Sequence, residues 1–481
     1  MLLSVLAIAA SLHAGLAPDQ RLSDPRSLRS PGLDPVLWAD HLSTLDTGKV
    51  GHILPGPDST PDLRPGLSLV RTGDTLLVLH PELGAEWRDP QGQGVLAGDV
   101  GGLLTGSTEH IAFWVDAHMF TDQTSESQTS WDGQYQEFHQ EGNNSHLTYT
   151  SYSRYEGILS ANTQLGRISI GRSREQWGPC VAYPLVLGST PTPMPMLDWT
   201  LEWGDFRVRE LWASLDIDGA GSFTSSGHTR SLYGHRYEWL ATRWLTLGAS
   251  EALIVYDHEE LAALLPVAPL FMEKGQEVES DNNGELAFDA EVRPLRGVRV
   301  YGEFLIDDIQ EPTTLFDNFW RNKWAATGGI HWAGRWNGND VGTVLEYSHV
   351  EPWVYTHNGA NTVQAAHQGS LLGNESGPNS RSIELEGYGV RGAAHVAGST
   401  ELVWKGTDNG SLWTDSFPAN NSTTKTFLAG GGKLYARMEA HLGWSYRWAT
   451  FWLDLGKTLS WANLQHVRPD APVAVRVELG M

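Results

Sequence analysis

A single cysteine, Cys180, stands in a chain of 481 residues. One thiol cannot close an internal disulfide, so no disulfide framework shapes the fold. Positive charge is scarce as well: 33 Lys and Arg face 57 Asp and Glu, giving a net charge of −24. That balance argues against nucleic acid as a partner, and an anionic polymer could bind only through local arginine and aromatic groups. Beyond the first residues no apolar run reaches the length of about 18 that a membrane helix requires. No GxSxG elbow, phosphate-binding loop or dinucleotide fingerprint is present. His258-Glu259-Glu260-Leu261-Ala262 opens like a zinc helix, but Ala262 stands where the second histidine is needed. No catalytic residue, metal site or cofactor is therefore expected.

What the chain does have is alternation. In Arg296–Asp308, Val298, Val300, Gly302, Phe304 and Ile306 fall on one side, and Arg299, Tyr301, Glu303 and Asp307 on the other, with Leu305 the exception. A period of two with one apolar and one polar face is a β-strand. Lys433–Trp444 repeats it, and so does the C-terminal run from Val473 to Leu479. Lys433–Trp444 would also serve as an amphipathic helix, but the Gly430-Gly431-Gly432 run before it favours strand. Similar stretches recur from Leu67 onward, enough for about 18 strands. A soluble sandwich would hide the apolar faces inside. A membrane barrel turns them to lipid and keeps charge in its lumen.

The N-terminus differs. Met1–Ala17 has an apolar Leu2–Leu12 and a small-x-small Gly15-Leu16-Ala17, the pattern of a secretory signal, though without its usual positive charge. Pro18–Gly66 is rich in Pro, Asp and Arg. It offers one short helix, Asp34–Leu45, with Asp34 as cap and Pro35 in the first turn. It reads either as a periplasmic element at a barrel mouth or as a linker. Residues 67–481 would then form the barrel itself.

The connections are of two kinds. Gly204-Asp205, Pro294–Gly297 and Ser445–Arg447 are tight, whereas Thr121–Ser145, Gly178–Pro195, Asp257–Gly284, Glu351–Arg381 and Thr407–Thr426 are long and polar. Short turns on one rim and long loops on the other characterise outer-membrane barrels. Trp203, Trp239, Trp244, Trp332, Trp336, Trp444 and Trp448 lie near strand ends, as interfacial girdles require; ordinary core tryptophans are the competing reading. The fold class expected is all-β: a large antiparallel transmembrane barrel of about 18 strands with a short N-terminal helical element.

Strand carboxylates Glu238, Glu251, Glu303 and Glu346 would pair in the lumen with Arg236, Arg299 or Arg437; a glycosidase carboxylate pair is the sharper but less favoured alternative. Adjacent Asp307 and Asp308 point to opposite faces of a strand and make no acid/base pair. Sugars present apolar C–H faces and hydroxyl edges, so aromatic plates beside polar groups suit them. The long loops carry such mixtures: Trp131, Tyr135 and Phe138; Trp177 and Tyr183; Trp353, Tyr355 and His357; and Trp413. Loop packing is the competing role for each.

Four stretches, in order, carry a resemblance. They are Gly171-Arg172 with Gln176-Trp177-Gly178-Pro179; His235-Arg236-Tyr237-Glu238-Trp239 running into Leu247-Gly248-Ala249-Ser250-Glu251 and Tyr256; Tyr301–Asp308; and Glu346-Tyr347, Pro352, Tyr355, His357, Leu372-Gly373 and Gly377-Pro378-Asn379-Ser380. Together they resemble the Wzi family of capsule-assembly outer-membrane proteins over roughly Gly166–Arg381. Cys180 stands where that family usually has Gly, and Asn379 where it often has Asp. The resemblance implies an 18-stranded outer-membrane barrel with a small helical N-terminal part. It also implies a non-enzymatic, lectin-like role in holding capsular or other surface polysaccharide, alongside other polysaccharide export components and outer-membrane lipid. The motif and lumen residues are then Arg172, Arg236, Glu238, Glu251, Arg299, Glu303, Asp307 and Glu346. The glycan candidates are Trp177, Tyr183, Trp353, Tyr355, His357 and Trp413. A carbohydrate-admitting porin of the same architecture is the main alternative, and a secreted β-rich glycoside hydrolase a third.

Overall fold

The computed structural model describes residues 67–480 apart from 73–74, 89–94, 109, 125–139, 145–146, 189–192, 216–229, 257–260, 266–269, 271–281, 296, 338, 358–362, 368–369, 416, 419–422, 447–448 and 461–472. The N-terminal signal, the Asp34–Leu45 helix, Trp131, Tyr135, Phe138 and Trp448 lie outside the described residues.

In chain order the strands are β1 (Leu67–Thr72), β2 (Thr75–Arg88), β3 (Val95–Ser107), β4 (Ile111–Thr124), β5 (Gln140–Asn144), β6 (Leu147–Thr163), β7 (Gly166–Ser173), β8 (Met194–Trp203), β9 (Phe206–Ser214), β10 (Arg230–Thr242) and β11 (Leu245–Tyr256). They continue with β12 (Asn283–Leu295), β13 (Val298–Asp308), β14 (Lys323–Trp336), β15 (Asn339–Val350), β16 (Ala366–His367), β17 (Ser370–Leu371), β18 (Ser380–Arg391), β19 (Ala394–Lys405), β20 (Lys433–Tyr446), β21 (Ala449–Ser460) and β22 (Val473–Gly480).

Twenty of these belong to one antiparallel sheet, and β16 and β17 form a separate hairpin. Of the twenty, β1 pairs only with β2, and β5 only with β6. The other eighteen close a ring: β22 returns to β2 in a register running from Glu82↔Gly480 to Arg88↔Ala474. Closure removes the sheet edge, which is the condition for a sheet to sit in hydrocarbon. Every ring strand corresponds to an alternating stretch seen in the sequence.

The rims alternate as expected. Tight turns such as 164–165, 204–205, 243–244 and 392–393 share one rim, and the long connections share the other. Gly297 shows why such turns need special residues. Its φ is 74°, and an added Cβ would stand 2.2 Å from the Ala333 carbonyl oxygen. Trp203, Trp239, Trp244, Trp332, Trp336 and Trp444 are exposed along the tight-turn rim, as an interfacial girdle demands. Between the rims the apolar strand faces point outward. Val300, Phe288, Ile330, Leu345, Leu385 and Met438 are exposed, Val300 by 40%. Phe304 also faces out, half-covered by the Trp324 and Phe316 rings at 5.8 and 6.2 Å. The opposite parity on β13, namely Arg299, Tyr301, Glu303, Leu305 and Asp307, is buried in the lumen. Greasy outside and charged inside, this is a transmembrane barrel rather than a sandwich.

Candidate functional site

The lumen is filled by two long connections. Segment 174–188 follows β7, and segment 351–379, of which 351–357, 363–367 and 370–379 are described, follows β15. Both fold inward because the wall offers carboxylates that satisfy their backbone. Glu346 on β15 accepts the N–H groups of Val181, Ala182 and Tyr183 at 2.8, 3.1 and 2.6 Å, and the Tyr301 hydroxyl at 2.7 Å. Glu303 on β13 accepts the Leu185 N–H at 3.1 Å. Asp307, one turn of the pleat further, accepts the Tyr355 N–H at 2.7 Å. A backbone without regular structure can sit in a barrel only if such partners exist.

The two segments also hold each other. Gly188 N–H donates across to the Leu372 carbonyl at 2.6 Å, while within 174–188 Trp177 N–H donates to the Leu187 carbonyl at 3.0 Å. The Tyr355 hydroxyl donates to the Leu185 carbonyl at 2.8 Å and accepts from Asn374 N–H at 3.2 Å. Lys323 reaches Thr356 O at 3.0 Å while lying 3.6 Å from Asp307. Leu185, Val186, Leu187, Val354 and Leu372 complete a dry inner core against Leu305, Ile254 and Val350 from the wall. Leu305, the exception on the polar face of its strand, therefore meets the plug.

Segment 351–379 carries strain. Trp353 and Tyr355 have φ of 65° and 67°, a region costly for bulky side chains. Trp353 N–H donates to the Gly410 carbonyl at 2.9 Å, and its ring lies where a Gly410 Cβ would be. Asn379, φ 56°, ties three segments. Its amide donates to Ser411 Oγ at 2.8 Å, and its side-chain oxygen accepts from Leu428 N–H at 2.7 Å. Glu351 pairs with Lys425 at 2.8 Å and with His349 at 2.9 Å. Burial would raise the Glu351 carboxyl, but the His349 hydrogen bond and the Lys425 ammonium hold it below its ordinary range.

Nearer the tight-turn rim the inner wall is a charge ladder. Arg236 makes a bidentate pair with Asp289 at 2.8 and 3.2 Å and reaches Glu238 at 3.1 Å. Arg299 pairs with Glu291 at 3.1 Å, and Arg209 with Asp198 and, at 2.9 Å, with Glu175 of the plug. Arg236 and Glu238 thus pair with each other in the lumen, whereas Arg299 takes Glu291 rather than one of the four carboxylates singled out from the sequence. Glu303 and Glu346 do not join the ladder; they grip backbone. Two expectations are corrected. Arg172 shares the outward parity of exposed Ile168 and Ile170, and its guanidinium lies 5.0 Å from the Tyr155 ring. Glu251 faces outward too, with Leu247 and Leu253, beside His235.

Of the glycan candidates, Trp177, Tyr183, Trp353 and Tyr355 are buried in the plug. Their ring faces are covered, so in this conformation they offer no plate to a sugar. His357 and Trp413 remain half-buried near the long-loop rim, His357 edge-on to Phe417 at 5.8 Å. Cys180 is buried, and burial followed by the Glu346 and Glu303 carboxylates pushes its thiol well up, which leaves no thiolate nucleophile. Sequence reasoning missed Lys323, Asn374, Arg230 (which donates to the Gln364 and Ala366 carbonyls) and the Glu351–Lys425 pair. Only Leu305 hinted at them.

No family model matches this chain, and no curated protein sequence does. Among solved structures, the chain is similar to Wzi of Escherichia coli, described as an outer-membrane protein involved in group 1 capsule assembly and a carbohydrate-binding β-barrel. The identity is 14%, over 84% of each chain, with a TM-score of 0.49. It is similar also to OccAB1 of Acinetobacter baumannii, at 11% identity over 86% of this chain and 98% of the other, with a TM-score of 0.45. OprD of Pseudomonas aeruginosa matches at 10% identity over 87% and 98%, with a TM-score of 0.43. The barrel assignment rests on the chain's own ladder, closure and outward apolar faces.

Proposed function

We propose that this outer-membrane barrel is a non-enzymatic anchor that holds capsular or other surface polysaccharide at the cell surface. One observation carries the choice of anchor over passage. In the lumen's long-loop half, segment 174–188 and the described residues of 351–379 pack into an apolar cluster and are fastened to Glu303, Asp307 and Glu346. A conduit for sugars needs a wet path, whereas a holder needs a rigid outer face. The four motif stretches support the same reading, because they meet in that knot: Trp177, Leu305, Tyr355 and Leu372 share one buried cluster with Tyr256 packed against it, and Gly178 lies against Glu303. His357 and Trp413 are the side chains we assign to the glycan, with the buried aromatics as their support. Glu303, Asp307 and Glu346 are engaged by backbone donors, which counts against their serving as the free acid/base pair of a glycoside hydrolase.

The test is removal of the protein from its cells. Surface glycan should then appear in the medium with synthesis unchanged, and unchanged cell-bound glycan would refute anchoring. Purified protein in planar bilayers separates the porin: a steady current that added oligosaccharide blocks would overturn the anchor in its favour.

A further inference from the structure

The outer wall, not the lumen, holds a feature that neither the plug nor the glycan reading uses. On β9 to β11 the outward parity includes Glu210, His235, Tyr237 and Glu251. The Nε2–H of His235 is directed at Glu210 Oε1, 3.0 Å away, and at the Ala263 carbonyl, 3.1 Å away. Its Nδ1 lies 3.4 Å from the Tyr237 hydroxyl and 3.8 Å from Glu251. The cluster lies deep. His235 is four residues along β10 from Trp239, whose ring stacks on Phe206 at the tight-turn girdle. At about 3.3 Å per residue and a tilt of about 40°, that is roughly 10 Å into an apolar band about 25 Å tall.

Charged groups at that depth on a lipid-facing wall need a cover, and one is present. The turn Leu261–Leu264, in the connection after β11, lies on the wall, and His235 is 0% exposed beneath it. Ala263 and Leu270 are buried against Tyr233, Leu253 and Val255, with Trp212 beside them. The side of this turn away from the wall carries Leu264, 37% exposed, and Leu265, 58% exposed. These two leucines continue the apolar surface that Leu247 and Phe288 present to lipid below them.

We infer that residues 261–265 form a lipid-contacting cover: Leu264 and Leu265 insert among acyl chains, and His235 latches the turn over Glu210 and Glu251. The partner is membrane hydrocarbon. Residues 261–265 are therefore a membrane-side element, unlike segment 174–188, which packs into the lumen.

Full-length protein in phosphatidylcholine vesicles tests this. Cys180 is 1% exposed, so an environment-sensitive thiol dye on folded Leu265→Cys reports that position, with the parent protein as the labelling blank. Val300→Cys serves as the lipid-facing reference and Asp205→Cys, in a tight turn, as the aqueous one. The dye at 265 should emit as at 300, be quenched by nitroxide-bearing lipid, and resist iodide. Emission and iodide quenching like those at 205 would overturn the cover. Leu264→Cys repeats the measurement if Leu265→Cys fails to give the heat-modifiable folded band. In the Leu265→Cys background, His235→Ala should raise iodide quenching several-fold, while His235→Gln, which keeps a donor, should raise it less. Equal quenching in all three would refute the latch.

Discussion

Replacing Glu346 by alanine should unseat segment 174–188 while leaving the barrel standing. The carboxylate takes four hydrogen bonds, three from consecutive backbone N–H groups and one from Tyr301. Alanine strands all four donors in a dry site. At about 1–3 kcal/mol for each buried unsatisfied group, the docked plug loses at least about 4 kcal/mol. At about 1.4 kcal/mol per tenfold, that shifts the docked-to-undocked ratio roughly a thousandfold. The ring of strands does not depend on this side chain, because β15 keeps its full ladders to β14 and β18. Ion conductance in planar bilayers and protease cleavage within 174–188 read the change. The variant should conduct more than the parent and be cut there, while its folded, heat-modifiable band persists. Glu346→Gln keeps one oxygen facing two of the donors and should fall between. Unchanged current and unchanged protease resistance in Glu346→Ala would refute the claim that a buried carboxylate fastens the plug.

Gly178→Ala should weaken the same plug by about 1–3 kcal/mol. The residue sits at φ 85°, and a Cβ would lie 2.9 Å from Glu303 Oε2; protease cleavage of 174–188 in the folded protein checks it. The Glu351–Lys425 tie should be pH-dependent. Because the folded Glu351 carboxyl sits below its ordinary value of 4.5, its contribution is complete above that value and disappears as pH falls through the lowered one. Protection of 351–357, taken as hydrogen exchange relative to the intrinsic rate at each pH, should therefore fall as pH drops below 4.5 in the parent, and the fall should shrink in Lys425→Gln; equal falls would count against the pair. Trp413→Ala should weaken retention of purified surface glycan by a few-fold to about tenfold with the plug intact, whereas Trp177→Ala should loosen the plug first. Glycan affinity and proteolysis, measured on both variants, separate contact from support.

The fold was largely legible because a lipid-facing strand writes its environment in a period of two. Lys433–Tyr446 could have been a helix by pattern alone. Its partners Ala394–Lys405 and Ala449–Ser460 settle it as β20, paired on both sides. The short strands β1 and β5 went unread, since five or six residues appended to one side of the ring carry too little alternation. Arg172 and Glu251 were misplaced in the lumen although the parity was there to read. Arg172 is in phase with Ile168 and Ile170, and Glu251 with Leu247, Leu253 and Val255. Charge type outweighed phase in that reading. Both charges have local cover, a Tyr155 ring beside one and the 261–265 turn near the other.

The site was less legible because its partners are backbone. No side-chain motif announces that Glu346 will accept three N–H groups from a loop more than 160 residues earlier. Yet the inward parity, followed along neighbouring strands, changes character at one level. Toward the tight-turn rim it reads Arg207 and Arg209, Arg236 and Glu238, Asp289 and Glu291, Arg299 and His331. Toward the long-loop rim it reads Leu211 and Ala213, Leu232, Ala252 and Ile254, Ala287, Leu305, Ala325 and Val350, all buried in one cluster. Water-filled lumens are lined with polar groups, so apolar inward residues on seven consecutive strands require something dry to pack against. Segments 174–188 and 351–379 are what they meet. Glu303 and Glu346 stand near the boundary between the two levels, with Asp307 on the dry side, as backbone in an apolar setting needs acceptors at hand. The height at which inward residues turn from charged to apolar thus marks the floor of the plug, and it is written in the strands themselves.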